Sequence, residues 1–261
     1  MDNFNKKVLV CEDSFEGILS CIYDAWVVMN QNGKDNVAIV CGENYNMELF
    51  MEYVQVEKNR EKSFKVAESI KRKMSFHIYN DIYRTAVSDV SDKADLIFRY
   101  LQHGFRMGRR VSECLAIPEI MEVTKISKNV LREYDHLRGF LRFGQITENV
   151  LSAEIEPKND ILDMLGNHFS DRLSSENFII KDMGRKKTLV HKQYCDYYII
   201  NNMLPDTGDN GVMSGNEGYY EELWKVFFET IAIDSRKNYE LQRNNLPLRF
   251  RKYMTEFDKF N

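Results

Sequence analysis

The chain has 261 residues, 43 % hydrophobic and 29 % charged, with a net charge of −4. That length is enough for one large domain or two modest ones, each with its own buried core. The acidic balance excludes a protein that is basic over its whole surface, so any contact with nucleic acid must come from a local patch.

KVLVC (7–11) reads as a first strand. Ser14 is placed to cap a helix over 15–29, where Phe15, Ile18, Leu19, Ile22, Tyr23 and Trp26 recur at helical spacing. After the NQNGKDN turn, 37–40 and 51–56 read as short strands. From 58 to 134 the pattern is helical almost throughout, with breaks near 74–75, 88–91, Gly108 and Pro118. Ser91 is the expected N-cap of a helix carrying Leu96, Ile97, Tyr100 and Leu101, and Pro118 suits the first turn of the next.

Near Arg138 the pattern turns β-like. GFLRFGQI, VLSAEIEP, NFIIKD, KTLVH and CDYYII are rich in aromatic and β-branched residues, and one helix interrupts them over 160–173. A polar loop of turn formers (NMLPDTGDNGVMSGNEG) precedes a strong helix over 219–234 and a short helix after Pro247. The expected fold class is α+β: a small N-terminal α/β unit (1–57), a helical region (58–137), and a C-terminal region (138–261) with an antiparallel sheet and helices. These parts are expected to pack as one body.

The cysteines (Cys11, Cys21, Cys41, Cys114 and Cys195) are odd in number, widely spaced and without a CxxC pair, which fits free thiols in a reducing cytoplasm. No apolar run reaches the ~18 residues of a membrane span. The MDNFNKK start leads into only a short apolar run, so no signal peptide is expected. The phosphate-loop, dinucleotide, GxSxG, HExxH and zinc-deaminase patterns are all absent, and the histidines do not pair at ligand spacing, so neither a metal nor a cofactor is expected.

The densest polar region is 142–172. Arg142 and Phe143 are expected in a strand, Glu154 and Glu156 on one face of the next, and Asp160 at the start of a helix that sets His168 and Arg172 on one face. Convergence of Glu154, Asp160, His168 and Arg172 would allow general acid–base chemistry. The structural alternative makes Asp160 a cap and has His168 and Arg172 neutralise carboxylates. Basic residues cluster over 58–73, 99–142 and 236–252. The last holds Arg236, Lys237, Arg243, Arg249, Arg251 and Lys252 against Glu240 alone, with Tyr239, Phe250 and Tyr253 among them. Cations for phosphates and aromatics for bases suit a nucleic-acid surface, whereas the 58–73 cluster reads as a solvated helix face. Trp26 and Trp224 lie on apolar helical faces and are expected in the core.

Long segments carry a resemblance: EDSFEGILSCIYDAW, IYRTAVSD, FRYLQHGFRMGRRV, LRGFLRFGQI, LSAEIEPKNDILDMLGNHFSDRL and YYEELWKVFFETIAIDSRKNYELQRNNLPLRFRKYMTE. In these segments the sequence resembles a bacterial family of DNA-repair and DNA-metabolism proteins that carries a domain of unknown function. The resemblance implies a radical-SAM protein encoded nearby as partner, and fusion in some members to a uracil-DNA glycosylase. By matched position it points to Arg142, Phe143, Glu154, Pro157, Asp160, His168, Phe169 and Arg172, and to Arg236, Asn238, Gln242 and Pro247. The glycosylase's water-activating motif and the CxxxCxxC of radical-SAM enzymes are both missing, so neither activity carries over. The expected function is a DNA-binding accessory protein using Arg142, Phe143, Arg236, Asn238, Gln242, Arg249 and Arg251. The alternatives are an enzyme acting on a modified base or nucleotide through Glu154, Asp160, His168 and Arg172, and an adaptor that does not bind DNA but docks through the 202–220 loop.

Overall fold

The computed structural model describes residues 6–33, 36–42, 45–147, 149–201 and 239–254. The fold class is α+β, with an N-terminal α/β unit. The chain divides into two compact units, Met1–Leu131 and Arg132–Asn261.

In the first unit, β1 (Lys6–Cys11) lies between β2 (Val37–Cys41) and β3 (Met51–Gln55) in a three-stranded parallel sheet. The helix α1 (Phe15–Asn32) opens as expected: Ser14 is extended, and its hydroxyl accepts from the Gly17 N–H at 3.1 Å. After β3, four α-helices follow before the next strand: α2 (Arg60–Lys73), α3 (Phe76–Ala86), α4 (Lys93–Met107) and, after a 3₁₀ turn, α5 (Pro118–Phe140). Three short strands cannot bury both of their faces, so the helices complete the core. One apolar cluster joins Leu9 and Ile39 of the sheet to Ile22, Ile70, Ile82, Phe98 and Ile120 of the helices. The α4 side chains also close the edge of β2. Asp95 Oδ1 accepts from the Ile39 N–H at 3.1 Å, and Arg99 Nη2 donates to the Val37 carbonyl at 2.7 Å.

Ser91 is not the cap of α4. The cap position is Asp92, whose side chain makes no capping bond. A buried lysine holds this helix start instead: Lys93 Nζ lies 2.6 Å from the Ser88 carbonyl and 2.7 Å from Asp13 Oδ1.

In the second unit, β4 (Gly144–Thr147), β5 (Val150–Ile155), β6 (Asn177–Asp182), β7 (Lys187–His191) and β8 (Tyr198–Ile200) form one sheet in that order. It is antiparallel except for β5 and β6, which run parallel because α6 (Leu162–Arg172) carries the chain back between them. Two short helices close the described chain, α7 (Tyr239–Asn245) and α8 (Leu248–Arg251). The helix expected over 219–234, Trp224 in it and the 202–220 loop lie outside the described residues. Among the described residues no helix is long and apolar enough to cross a membrane.

Gly166 sets how closely α6 approaches the sheet. A Cβ there would stand 2.5 Å from Leu189 Cδ1 and 2.7 Å from Tyr197 Cε2. Leu189 is fully buried, and Tyr197 is tied by its hydroxyl to Asp163 Oδ1 at 2.8 Å, so neither can move aside freely. Gly166→Ala is therefore expected to destabilise by about 1–3 kcal/mol despite alanine's better helix propensity. Urea denaturation measures this; an equal or raised midpoint would contradict the tight approach.

Candidate functional site

The polar region read from the sequence falls entirely in the second unit. Its elements are the end of α5, the strands β5 to β7, α6 and the tail helices. Arg142 and Phe143 are not in a strand: they connect α5, which runs on to Phe140, to β4 at Gly144. The helix persists because Val130, Leu137 and Leu141 continue its buried stripe. Arg142 Nη1 donates to the Gly139 carbonyl at 2.9 Å. Phe143 packs edge-on against Phe169 at 5.2 Å and Phe178 at 5.5 Å, which places its ring in the aromatic packing around the buried Phe178.

Glu154 and Glu156 do alternate on an exposed face, between the buried Ala153 and Ile155. Glu154 stands opposite Lys181 in the β5–β6 register, with its carboxylate 4.0 Å from Lys181 Nζ. Asp160 is not the helix cap. Ile161 holds that position without a side-chain bond, and Asp160 instead pairs with Lys187 of β7. Among the described residues, no hydrogen bond or ion pair joins Glu154 or Asp160 to His168.

His168 and Arg172 share a face of α6, and their surroundings are cationic. Burial holds the His168 imidazole below its ordinary pKa; Arg138 and then Arg172 push it further down, against a smaller opposing effect of Asp171. Arg138 and Arg172 are both exposed. Arg138 reaches Asp135 at 3.3 Å, and Arg172 makes no ion pair among the described residues.

The tail is engaged within its own unit. Glu133, on α5, is 2 % exposed. Its carboxylate accepts from the Lys158 N–H at 2.9 Å, the Asn159 N–H at 3.0 Å and Asn159 Nδ2 at 2.6 Å, and pairs with Arg249 Nη2 at 3.0 Å. Lys252 Nζ and the Tyr253 hydroxyl both donate to Glu156 Oε2, at 2.8 and 3.0 Å, and these bonds, Lys252's first, hold the Glu156 carboxyl below its usual range. Phe250 is buried beside His136 and Phe140. Arg251 Nη2 donates to the Leu246 carbonyl at 3.3 Å. Gln242 lies on α7, while Arg236 and Asn238 lie outside the described residues. Of the expected DNA-binding tail residues, Arg249 thus serves first to neutralise a buried carboxylate.

Glu133 carried no sequence signal, because within LREYDHLR it reads as one more solvated helical acid. Arg138 stood in the basic stretch, but nothing marked it off from its neighbours until α6 came beside it.

The profile of a domain of unknown function, DUF4130, matches residues 91–256, more than half of the chain. The chain belongs to the DUF4130 family. No curated protein matches the sequence. The match takes in the whole polar region of this DUF4130 protein, from Glu133 and Arg138 through α6 to the tail. Among the described residues no group of three or more His, Cys, Asp or Glu is placed to hold a metal ion.

Proposed function

We propose that this DUF4130 protein is a cytoplasmic accessory protein of DNA metabolism that binds DNA and works beside a radical-SAM protein. The observation that carries the DNA side is the exposed pair Arg138 and Arg172 acting on one imidazole, His168. Two exposed guanidiniums whose charges both act on one ionisable ring suit a phosphate, which accepts N–H donors and relieves the repulsion that each exerts on the ring. The carboxylates Glu154 and Asp160 are engaged by Lys181 and Lys187 and, among the described residues, make no bond to His168, which favours anion binding over acid–base turnover at His168. Five cysteines free of disulfides suit a reducing compartment. Docking of a protein partner is supported by Met47, Leu49 and Phe50, which are 72, 84 and 81 % exposed beside β3 in the first unit.

Fluorescence anisotropy with labelled single- and double-stranded DNA over a salt series tests the proposal. Binding that weakens steeply with salt is the expected result. No binding at low salt would leave only the adaptor role, to be sought by co-purification with the radical-SAM protein.

The pH dependence has a definite sign. The folded His168 pKa lies below that of the unfolded chain, so the free protein resists protonating this ring, and stability is lost as pH falls through the window below about 6.5. A bound phosphate offsets the Arg138 and Arg172 charges and raises the His168 pKa, so binding takes up a proton. DNA affinity is therefore expected to rise as pH falls from about 7.5 to 6, by up to about tenfold. This dependence should flatten in His168→Ala; an identical pH profile in that variant would remove His168 from the site.

A further inference from the structure

The first unit holds a pocket that its own packing does not explain. Two adjoining hollows, of about 400 and 270 Å³, share Trp26 of α1 and Phe105 of α4 in their walls. The larger hollow, and the two taken together, fall in the range of small-molecule sites. Trp26 was expected in the core. It is only half-buried, its indole held edge-to-face by Phe98 at 5.5 Å and Phe105 at 5.0 Å while it also lines both hollows.

Gln102 lines the smaller hollow, with Arg106 beside it. Its side chain is buried, the residue being 6 % exposed, and neither the amide oxygen nor the amide nitrogen has a hydrogen-bond partner. A buried amide with both groups unmade is rare and destabilising, so it needs a reason outside the fold. The larger hollow is bordered by Lys65 and Lys73 of α2, and Lys73 Nζ sits 5.4 Å from the Phe105 ring centroid. Neighbouring lysines on this helix are neutralised, Lys62 by Asp24 at 2.7 Å and Lys71 by Glu68 at 3.1 Å. Lys65, Lys73 and Arg106 make no ion pair among the described residues. The 58–73 cluster is thus split: part of it is a solvated, paired face, and part of it turns to the pocket.

Flat aromatic walls, a donor and an acceptor side by side on one buried amide, and three cations without acids define one ligand chemistry. We infer that this pocket binds a nucleoside phosphate, with its base against Trp26 and Phe105, an adjacent donor–acceptor edge of the base on the Gln102 amide, which turns out of its buried position into the smaller hollow on binding, and its phosphate on Lys65, Lys73 and Arg106. A glutamine amide matches such a base edge with two parallel hydrogen bonds. The site goes beyond the DNA reading, whose cations lie in the other unit. A free mononucleotide and the terminal nucleotide of a single DNA strand share this chemistry.

Isothermal titration calorimetry of the full chain with each of the four deoxynucleoside monophosphates, a short 5′-phosphorylated single strand, and inorganic phosphate tests the site, together with the variants Gln102→Leu and Lys73→Ala. Wild type is expected to bind at least one mononucleotide, or the strand, more tightly than inorganic phosphate; which of the two binds identifies the source. Gln102→Leu should weaken that binding at least tenfold while raising Tm by about 2–4 °C, because an apolar side chain of similar size replaces an unpaired amide. Lys73→Ala should weaken binding of the nucleotide but not of the parent nucleoside. The inference is overturned if nothing binds at millimolar concentration, if inorganic phosphate binds equally well, if Gln102→Leu binds as wild type does, or if that variant is less stable. The last result would show that the amide is satisfied within the protein. Loss of duplex binding in variants of Arg138 and Arg172, with mononucleotide binding intact, separates this site from the DNA surface.

Discussion

Glu133→Ala is expected to destabilise the second unit by about 3–5 kcal/mol, the range for removing one partner of a buried, hydrogen-bonded charge pair. The carboxylate is 2 % exposed and serves four donors: the N–H groups of Lys158 and Asn159, the Asn159 amide and the Arg249 guanidinium. Without it, two backbone donors in the connection from β5 to α6 lose their acceptor, and a cavity opens beneath the tail. Glu133→Gln keeps the shape but replaces one acceptor oxygen with a donor, so a smaller loss of about 1–3 kcal/mol is expected. Chemical denaturation followed by far-UV circular dichroism measures both. A loss below about 1 kcal/mol in the alanine variant would show that the carboxylate is not the tie between α5, the β5–α6 connection and α8. The same geometry decides how tail variants are to be read. Arg249→Glu would set a second carboxylate against Glu133, so reduced DNA binding in that variant would report unfolding rather than a lost phosphate contact.

Reversing both Arg138 and Arg172 to glutamate is expected to weaken DNA binding about a hundredfold at low salt. At the low end of the about 1.5–3 kcal/mol that a charge-assisted bond to a phosphate contributes, two lost bonds cost about 3 kcal/mol, close to a hundredfold. The plot of log affinity against log salt should become shallower by about two, one for each phosphate contact removed. Both side chains are exposed, and the Arg138–Asp135 pair is a surface ion pair three residues apart on one helix. Stability should therefore change little. Anisotropy gives the affinities, and a thermal melt serves as the control. Undiminished binding with an unchanged salt slope would move the DNA surface away from α6.

Much of the secondary structure was legible because it is local. Ser14 caps α1 since one hydroxyl and the Gly17 N–H, three residues on, are all that the cap requires. Breaks at Gly108 and Pro118 and the strands β5 to β7 follow from residue conformational preferences and patterning over a few positions. Where local signals competed, packing won: α5 runs through the expected strand start at Arg138 because its buried stripe continues to Leu141.

Partners of charged groups were not legible. The tail looked like an unbalanced basic patch because Glu240 is the only acid within 236–252, yet Lys252 is answered by Glu156, 96 residues away, and Arg249 by Glu133. The helix expected to begin at Asp160 was offered a capping carboxylate, but Lys187 of a later strand took it. Composition and periodicity by themselves determined the α+β class, the cap of α1 and the order of most elements along the chain, because hydrophobic spacing and capping act within one or two turns of chain. The tertiary structure alone decided that Trp26 and Phe105 share a pocket with an unpaired Gln102, and that Arg138 and Arg172 act together on His168. Electrostatic and hydrogen-bond partnerships depend on distances of a few ångströms, and only the folded chain brings remote residues that close.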